Sequence, residues 1–286
     1  MARLAGKLLS DSTGGMMLRV TVLLAVLLLS PLAVAAERVI SLGGSVTEIV
    51  YALGEGNRLV ADDASSLYPE AARQLPRVGY YRSLSLEGIL SQRPDLLIAS
   101  ENAGPPEVLQ RLQAMGVATA LVSDQPGIDS LFQRVHDVAQ ALGVAEAGGR
   151  LQADIESSLQ KLEGVQPGHR RAMVVLHRGG PLLAAGADTS ADALLRLAGL
   201  DNVANGMQGY KPMSAEALAG LGPDLIFTTT MSAESAGGLA AFSAHPGVAA
   251  TPAAQAGRVV AIDDLLLLGM GPRVAEAVAL LRGATH

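Results

Sequence analysis

The chain contains no cysteine and no tryptophan, and only three phenylalanines. Without thiols there is no disulfide, no thiolate metal site and no cysteine to carry a lipid anchor, so stability must come from ordinary cores. Aromatic residues make up 3% of the chain, so a broad apolar ligand would have to be covered by aliphatic side chains. Positive charge is scarce too. The formal net charge is −6, and it becomes more negative once residues 1–35 are set aside, which argues against nucleic acid or anionic lipid as a partner. Catalytic signatures are also missing. There is no Gly-x-Ser-x-Gly elbow, no Gly-x-x-x-x-Gly-Lys-Ser/Thr loop and no His-Glu-x-x-His helix. Gly43-Gly44-Ser45 follows a strand-like run without the spacing of a dinucleotide loop. An exported enzyme has no visible nucleophile, base and orienting partner to rest on.

What is present begins with a leader. Arg19 precedes the apolar run Val20–Leu29, and Ala33-Val34-Ala35 follows. A positive start, a short apolar stretch and small residues at a cleavage site predict a signal peptide over residues 1–35, cleaved near Ala35. The run is short for a membrane span, which needs ~20 residues. The expected location is the periplasm.

One passage then occurs twice. Ser85-Leu86-Glu87 leads to Pro94-Asp95-Leu96-Leu97-Ile98, and Ser214-Ala215-Glu216 leads at the same spacing to Pro223-Asp224-Leu225-Ile226-Phe227. Tyr81-Arg82 and Tyr210-Lys211 stand in register ahead of the two copies. Each copy reads as a short helix capped by Ser with an acidic residue in its first turn, then a turn and a buried parallel strand. A repeated α/β unit implies two similar lobes with a cleft between them.

Elsewhere strand and helix signals alternate. Arg38–Leu42, Ala118–Val122, Ala172–Leu176 and Val259–Ile262 read as strands. Residues 105–115, 128–142, 189–198, 236–243 and 272–282 read as helices, and Ser45 or Thr47 as a cap for the helix holding Glu48. Residues 145–164 carry Leu151, Ile155, Leu159 and Leu162 at helical spacing with no strand between. The predicted fold is α/β: an N-terminal lobe over 36–143, a linking helix over 144–166 and a C-terminal lobe over 167–286, each lobe built on a parallel-type sheet.

From Glu37 onward the chain resembles the periplasmic haem-binding proteins of bacterial haem ABC importers, within the wider group that captures cobalamin and iron–siderophore complexes. The residues that carry this are Arg38-Val39-Ile40-Ser41-Leu42 with Thr47-Glu48, Val78-Gly79-Tyr80-Tyr81-Arg82, Leu84–Leu90, Ala184-Ala185-Gly186, Met207-Gln208-Gly209-Tyr210 and Leu268-Gly269-Met270-Gly271-Pro272-Arg273. The resemblance implies two lobes bridged by one helix (a class III periplasmic binding protein) and a non-enzymatic monomer. It also implies haem as the transported ligand and an inner-membrane permease dimer as partner. A cobalamin or ferric-siderophore binder is the alternative.

The Gly-Tyr-x-Arg passage points to haem, with Tyr80 as ligand to the iron and Tyr81 as its competitor. A phenolate is a hard oxygen donor suited to ferric iron, and Arg82 can support that anion or pair with a haem propionate. His177, at the end of a strand, is implied as an auxiliary or second haem ligand, with Arg178 beside it as a propionate partner. Tyr81, Met207, Tyr210, Leu268 and Met270 are expected to line the pocket. Glu87 and Glu216, at the same place in the two copies, are implied as the contacts to permease arginines. His136, His169 and His245 are expected on solvated surfaces.

Overall fold

The computed structural model describes residues 36–162 and 170–285. The expected leader and His169 lie outside the described residues. The elements in chain order are β1 (Val39–Leu42), α1 (Gly44–Ala52), β2 (Leu59–Asp62), β3 (Gly79–Tyr80), β4 (Ser83–Leu84), α2 (Leu86–Ser91), β5 (Leu96–Ser100), α3 (Pro106–Ala114), β6 (Ala118–Val122), α4 (Ile128–Leu142) and α5 (Ala145–Gln160). After these come β7 (Arg171–Leu176), β8 (Leu183–Ala185), α6 (Ser190–Leu197), β9 (Asp201–Asn202), β10 (Tyr210–Pro212), α7 (Ala215–Leu221), β11 (Leu225–Thr229) and α8 (Thr230–Ser235). The chain finishes with α9 (Leu239–Ala244), α10 (Pro246–Ala249), α11 (Pro252–Gln255), β12 (Val259–Ile262), α12 (Asp264–Leu268) and α13 (Val274–Gly283).

The first sheet runs β2-β1-β5-β6, every pair parallel. The second runs β10-β8-β7-β11-β12, with β9 beside β7. Its β7, β11 and β12 are parallel, whereas β8 runs antiparallel to both of its neighbours, β7 and β10. The reason is local. Gly179-Gly180 turn the chain directly after β7, Gly179 at φ +75, and so short a link makes a hairpin rather than a crossover. A second departure is the helix expected over 236–243. Gly237 and Gly238 take φ of +92 and +108, which ends α8 ahead of the segment and delays its helix, α9, to Leu239.

Strand alternation sorts the core. Val39, Leu96 and Ile98 on the first sheet, and Ala172, Val174, Leu225 and Phe227 on the second, belong to one continuous apolar cluster that also takes in α1, α4, α6, α12 and α13. The opposite faces make separate clusters, one with Ile40, Leu42 and Leu97, the other with Met173, Val175 and Ile226. The two sheets therefore share their central core.

The two copies of the repeat fold alike. Ser85 Oγ accepts from the Gly88 N–H and Ser214 Oγ from the Ala217 N–H, so both serines cap their helices. Asp95 accepts from the Glu37 and Arg38 N–H groups, and Asp224 accepts from Arg171 N–H. Arg38 donates to the Gln92 and Arg93 carbonyls at the end of α2, while Arg171 donates to the Leu221 and Gly222 carbonyls at the end of α7. The Pro-Asp turn is thus one side of an Asp–backbone–Arg circuit that ties each short helix to its sheet.

Candidate functional site

Gly79, at φ +106, starts a two-stranded hairpin in which Tyr80 pairs with Ser83. Asp63, fully buried after β2, fastens it. One carboxylate oxygen accepts from the Tyr81 N–H at 3.0 Å and the other from the Gly43 N–H at 2.9 Å, joining the hairpin to the start of α1. Ser65 and Ser66 hydroxyls donate to the same carboxylate. Ser45 and Thr47 do not cap α1; the residue ahead of the helix is Gly43. Thr47 instead links Ser41 and Ser66 through its hydroxyl.

The hairpin separates its two tyrosines. Tyr80 is 46% exposed and Tyr81 9%, their rings meeting edge to face at 4.9 Å. Arg82 Nε donates to the Tyr81 hydroxyl at 2.9 Å. Desolvation pushes the Tyr81 phenol up to about 12, Asp124 adding to the rise and Arg82 opposing it. Tyr81 is a buried neutral hydrogen-bonding group that holds Arg82. Tyr80 is the phenol open to a ligand.

Across the second sheet, β7 ends at Leu176 and delivers His177 and Arg178. His177 Nδ1 is buried without a hydrogen-bond partner among the described residues. His245 lies 6.2 Å away, ring to ring. It is half-buried, and its Nδ1 accepts from the Gly247 N–H at the head of α10. That corrects the expectation of a solvated His245; His136 is exposed as expected. Tyr210 opens β10, and desolvation pushes its phenol up to about 12 against the charges of Arg178 and Arg82. Arg82, on the hairpin, and Arg178, just after β7, both oppose that rise through their positive charge.

Sequence patterns did not single out the remaining features. Asp264, 6% exposed, begins α12 and faces Arg178 Nη2 at 3.8 Å. Met231, 47% exposed, and Leu239 are large apolar side chains left in the open after β11. One of the expected lining residues is placed otherwise. Met270 is 1% exposed and sits in the central core, so it presents no surface to a ligand. Met207 packs against the outer core of the second sheet. Leu268 is half-buried at the edge of the central core. Glu87 and Glu216 are exposed on the first turns of α2 and α7.

The Thr47-Glu48 and Gly271-Pro272-Arg273 passages meet. Arg273 donates to Glu48 through its backbone N–H and its guanidinium, both at 3.1 Å, and stacks 3.6 Å over the Tyr68 ring. Burial raises the Glu48 carboxyl above the ordinary range, with Arg273 opposing. A Cβ at Gly271 would stand 2.9 Å from Glu48 Oε2, so a side chain there would displace the carboxylate that Arg273 holds. No group of three or more His, Asp or Glu among the described residues could hold a metal ion.

Comparison with known proteins agrees with this layout. A family model described as periplasmic binding protein matches residues 39–266. The structure of the periplasmic haem-binding protein RhuT from Roseiflexus sp. RS-1 is 39% identical, with a TM-score of 0.84 over 87% of this chain and 98% of that one. BhuT, a periplasmic haem-binding protein solved in complex with two haems, is 40% identical, with a TM-score of 0.81 over 87% of this chain and 99% of that one. A vitamin B12-binding protein of Yersinia pseudotuberculosis is 41% identical over 122 residues, 43% of either chain; the chain therefore matches less than half the length of that relative.

Proposed function

The chain belongs to the periplasmic binding protein family, and from that premise we propose that it captures haem at the Tyr80 hairpin and hands it to an ABC permease dimer. The observation that carries this is the contrast within the hairpin. Tyr80 offers an open phenol, while its neighbour is buried and spent on Arg82. Ferric iron displaces the phenol proton and binds the hard oxygen, and the porphyrin supplies the remaining donors. Arg82 and Arg178, both near Tyr210, meet the anionic propionates. Tyr210, Met231, Leu239 and the half-buried Leu268 supply apolar cover. The likeness to RhuT and BhuT supports haem over other cargo.

In this reading the protein is a binding protein, not an enzyme. Residues 1–35 are a signal removed near Ala35, and the mature monomer works in the periplasm as an N-terminal lobe (36–143), a linking segment expected over 144–166, of which Ala145–Gln160 is helical and 163–166 lie outside the described residues, and a C-terminal lobe (167–286). The partial match to a vitamin B12-binding protein favours a second reading, cobalamin capture.

Titration with hemin and, in parallel, with cyanocobalamin separates the two. Wild-type protein is expected to give a shifted Soret band and a phenolate charge-transfer band, and Tyr80→Phe to lose both while keeping its fold. His177 is proposed as an auxiliary ligand, so His177→Ala should lower stoichiometry from two haems to one only if two bind at all. Retention of both bands in Tyr80→Phe, with their loss in Tyr81→Phe, would move the ligand by one residue. Binding of cyanocobalamin and not hemin would replace the haem reading.

A further inference from the structure

Asp264 is a buried carboxylate with an unusual split between its oxygens. Oδ2 accepts from the Thr230 hydroxyl at 3.0 Å and from the Met231 N–H at 2.9 Å. These two donors fix the group, so it cannot rotate away. Oδ1 is buried without a hydrogen-bond partner among the described residues, and the nearest cation is Arg178 Nη2, 3.8 Å off. That distance is a loose ion pair, too long for a hydrogen bond. A desolvated carboxylate oxygen left unsatisfied is costly, so the geometry draws the guanidinium toward it.

Arg178 has need of such a hold. Its side chain is half-exposed, and the two residues after it are glycines in an exposed turn. An unrestrained arginine there would lose rotamer freedom on gripping a ligand, and preorganisation removes that loss. The same carboxylate fixes the backbone of Met231, whose apolar side chain lies open. One buried group therefore sets a cation and an apolar surface at neighbouring strand ends, β7 and β11. A planar apolar ligand with carboxylates at its edge matches that pair.

We infer that Asp264 is the positioning residue for Arg178, holding its guanidinium ready for a carboxylate of the bound ligand. This rests on the haem reading, and it predicts a dependence on the ligand's own charge. Asp264→Asn should weaken hemin binding about tenfold, the size of a partly exposed charge-assisted contact, yet leave hemin dimethyl ester, whose carboxylates are neutral, within about twofold of wild type. Arg178→Ala should give the same pattern, and Asp264→Asn/Arg178→Ala should be no weaker than Arg178→Ala alone, because both act through one contact. Thr230→Val, at an exposed position, removes one of the two anchors and should show a smaller loss with the same selectivity for hemin, which keeps the test open if Asp264→Asn folds poorly. Unchanged or tighter hemin binding by Asp264→Asn would overturn the assignment. So would an equal loss for the diester, which would mark Asp264 as general packing. Wild-type protein that ignores hemin would sink the haem reading itself, a separate result.

Discussion

Tyr80 and Tyr81 are adjacent in sequence and opposite in environment, because Tyr80 ends the first strand of the hairpin while Tyr81 opens its turn, where Asp63 holds the Tyr81 N–H. The sequence offered Tyr80 with Tyr81 as its competitor; what separates them is the set of Asp63 contacts to the Tyr81 and Gly43 N–H groups, which no local pattern marks. The neighbour of Asp63 carries a prediction of its own. Asp62 is fully buried at the end of β2, and burial pushes its carboxyl up to about 7, with Asp63 adding and Arg77 opposing at 2.6 Å. A carboxyl raised on folding contributes stability below its ordinary range, and that contribution is lost as pH rises through about 7. Asp62→Asn should flatten the dependence of melting temperature on pH across that window and leave the acid end little changed. Parallel wild-type and variant melting profiles from acid to neutral pH would show that Asp62 does not titrate there. Asp264, Asp63 and Arg134 were not legible as functional or organising residues. The partners that give them that role, Thr230 and Met231 for Asp264, Gly43 and Tyr81 for Asp63, and Ser45 and Met270 for Arg134, lie whole elements away in sequence, so no local spacing marks them.

At the scale of elements, the repeat was legible in full, and the structure adds its mechanism. In each copy a serine caps the short helix, an aspartate receives the backbone of the neighbouring strand and an arginine closes the helix end. The motif found the Ser and Asp of each copy but not Arg38 and Arg171, which lie outside it. The strand and helix alternation was legible because buried parallel strands read as apolar runs. The β7–β8 hairpin was not, since β8 is short and its direction is decided by Gly179-Gly180. The matched circuits present Glu87 and Glu216 from equivalent helices, which is why we assign them to a symmetric permease. Replacing both with Ala should leave hemin affinity unchanged, because the two are exposed on helix first turns. Uptake in a reconstituted importer should fall sharply, each single variant partially, since a desolvated interfacial pair that loses one member costs ~2–5 kcal/mol. Full uptake by the double variant would reduce the glutamates to helix-end stabilisers worth ~0.3–1 kcal/mol each.

On the scale of the whole molecule, the two sheets are bound to one another by more than the linking helix. Arg134 on α4 is fully buried, and its guanidinium donates to the Ser123 carbonyl, the Ser45 hydroxyl and the Met270 carbonyl. Glu48 and Arg273 make a second tie between α1 and the segment before α13. Pulling the sheets apart would strand a buried cation and a buried carboxylate, at several kcal/mol for each uncompensated charge, and would open the shared apolar core. Small-angle X-ray scattering of empty and hemin-loaded protein should therefore superimpose, and a clear contraction on loading would overturn this. The shared core then has a consequence for delivery. A jaw that swings can drop its cargo by opening, but a rigid cradle cannot. Release must be forced at the rim, by whatever displaces the Tyr80 hairpin and the Arg178 turn, so the work of unloading falls to the acceptor rather than to the carrier.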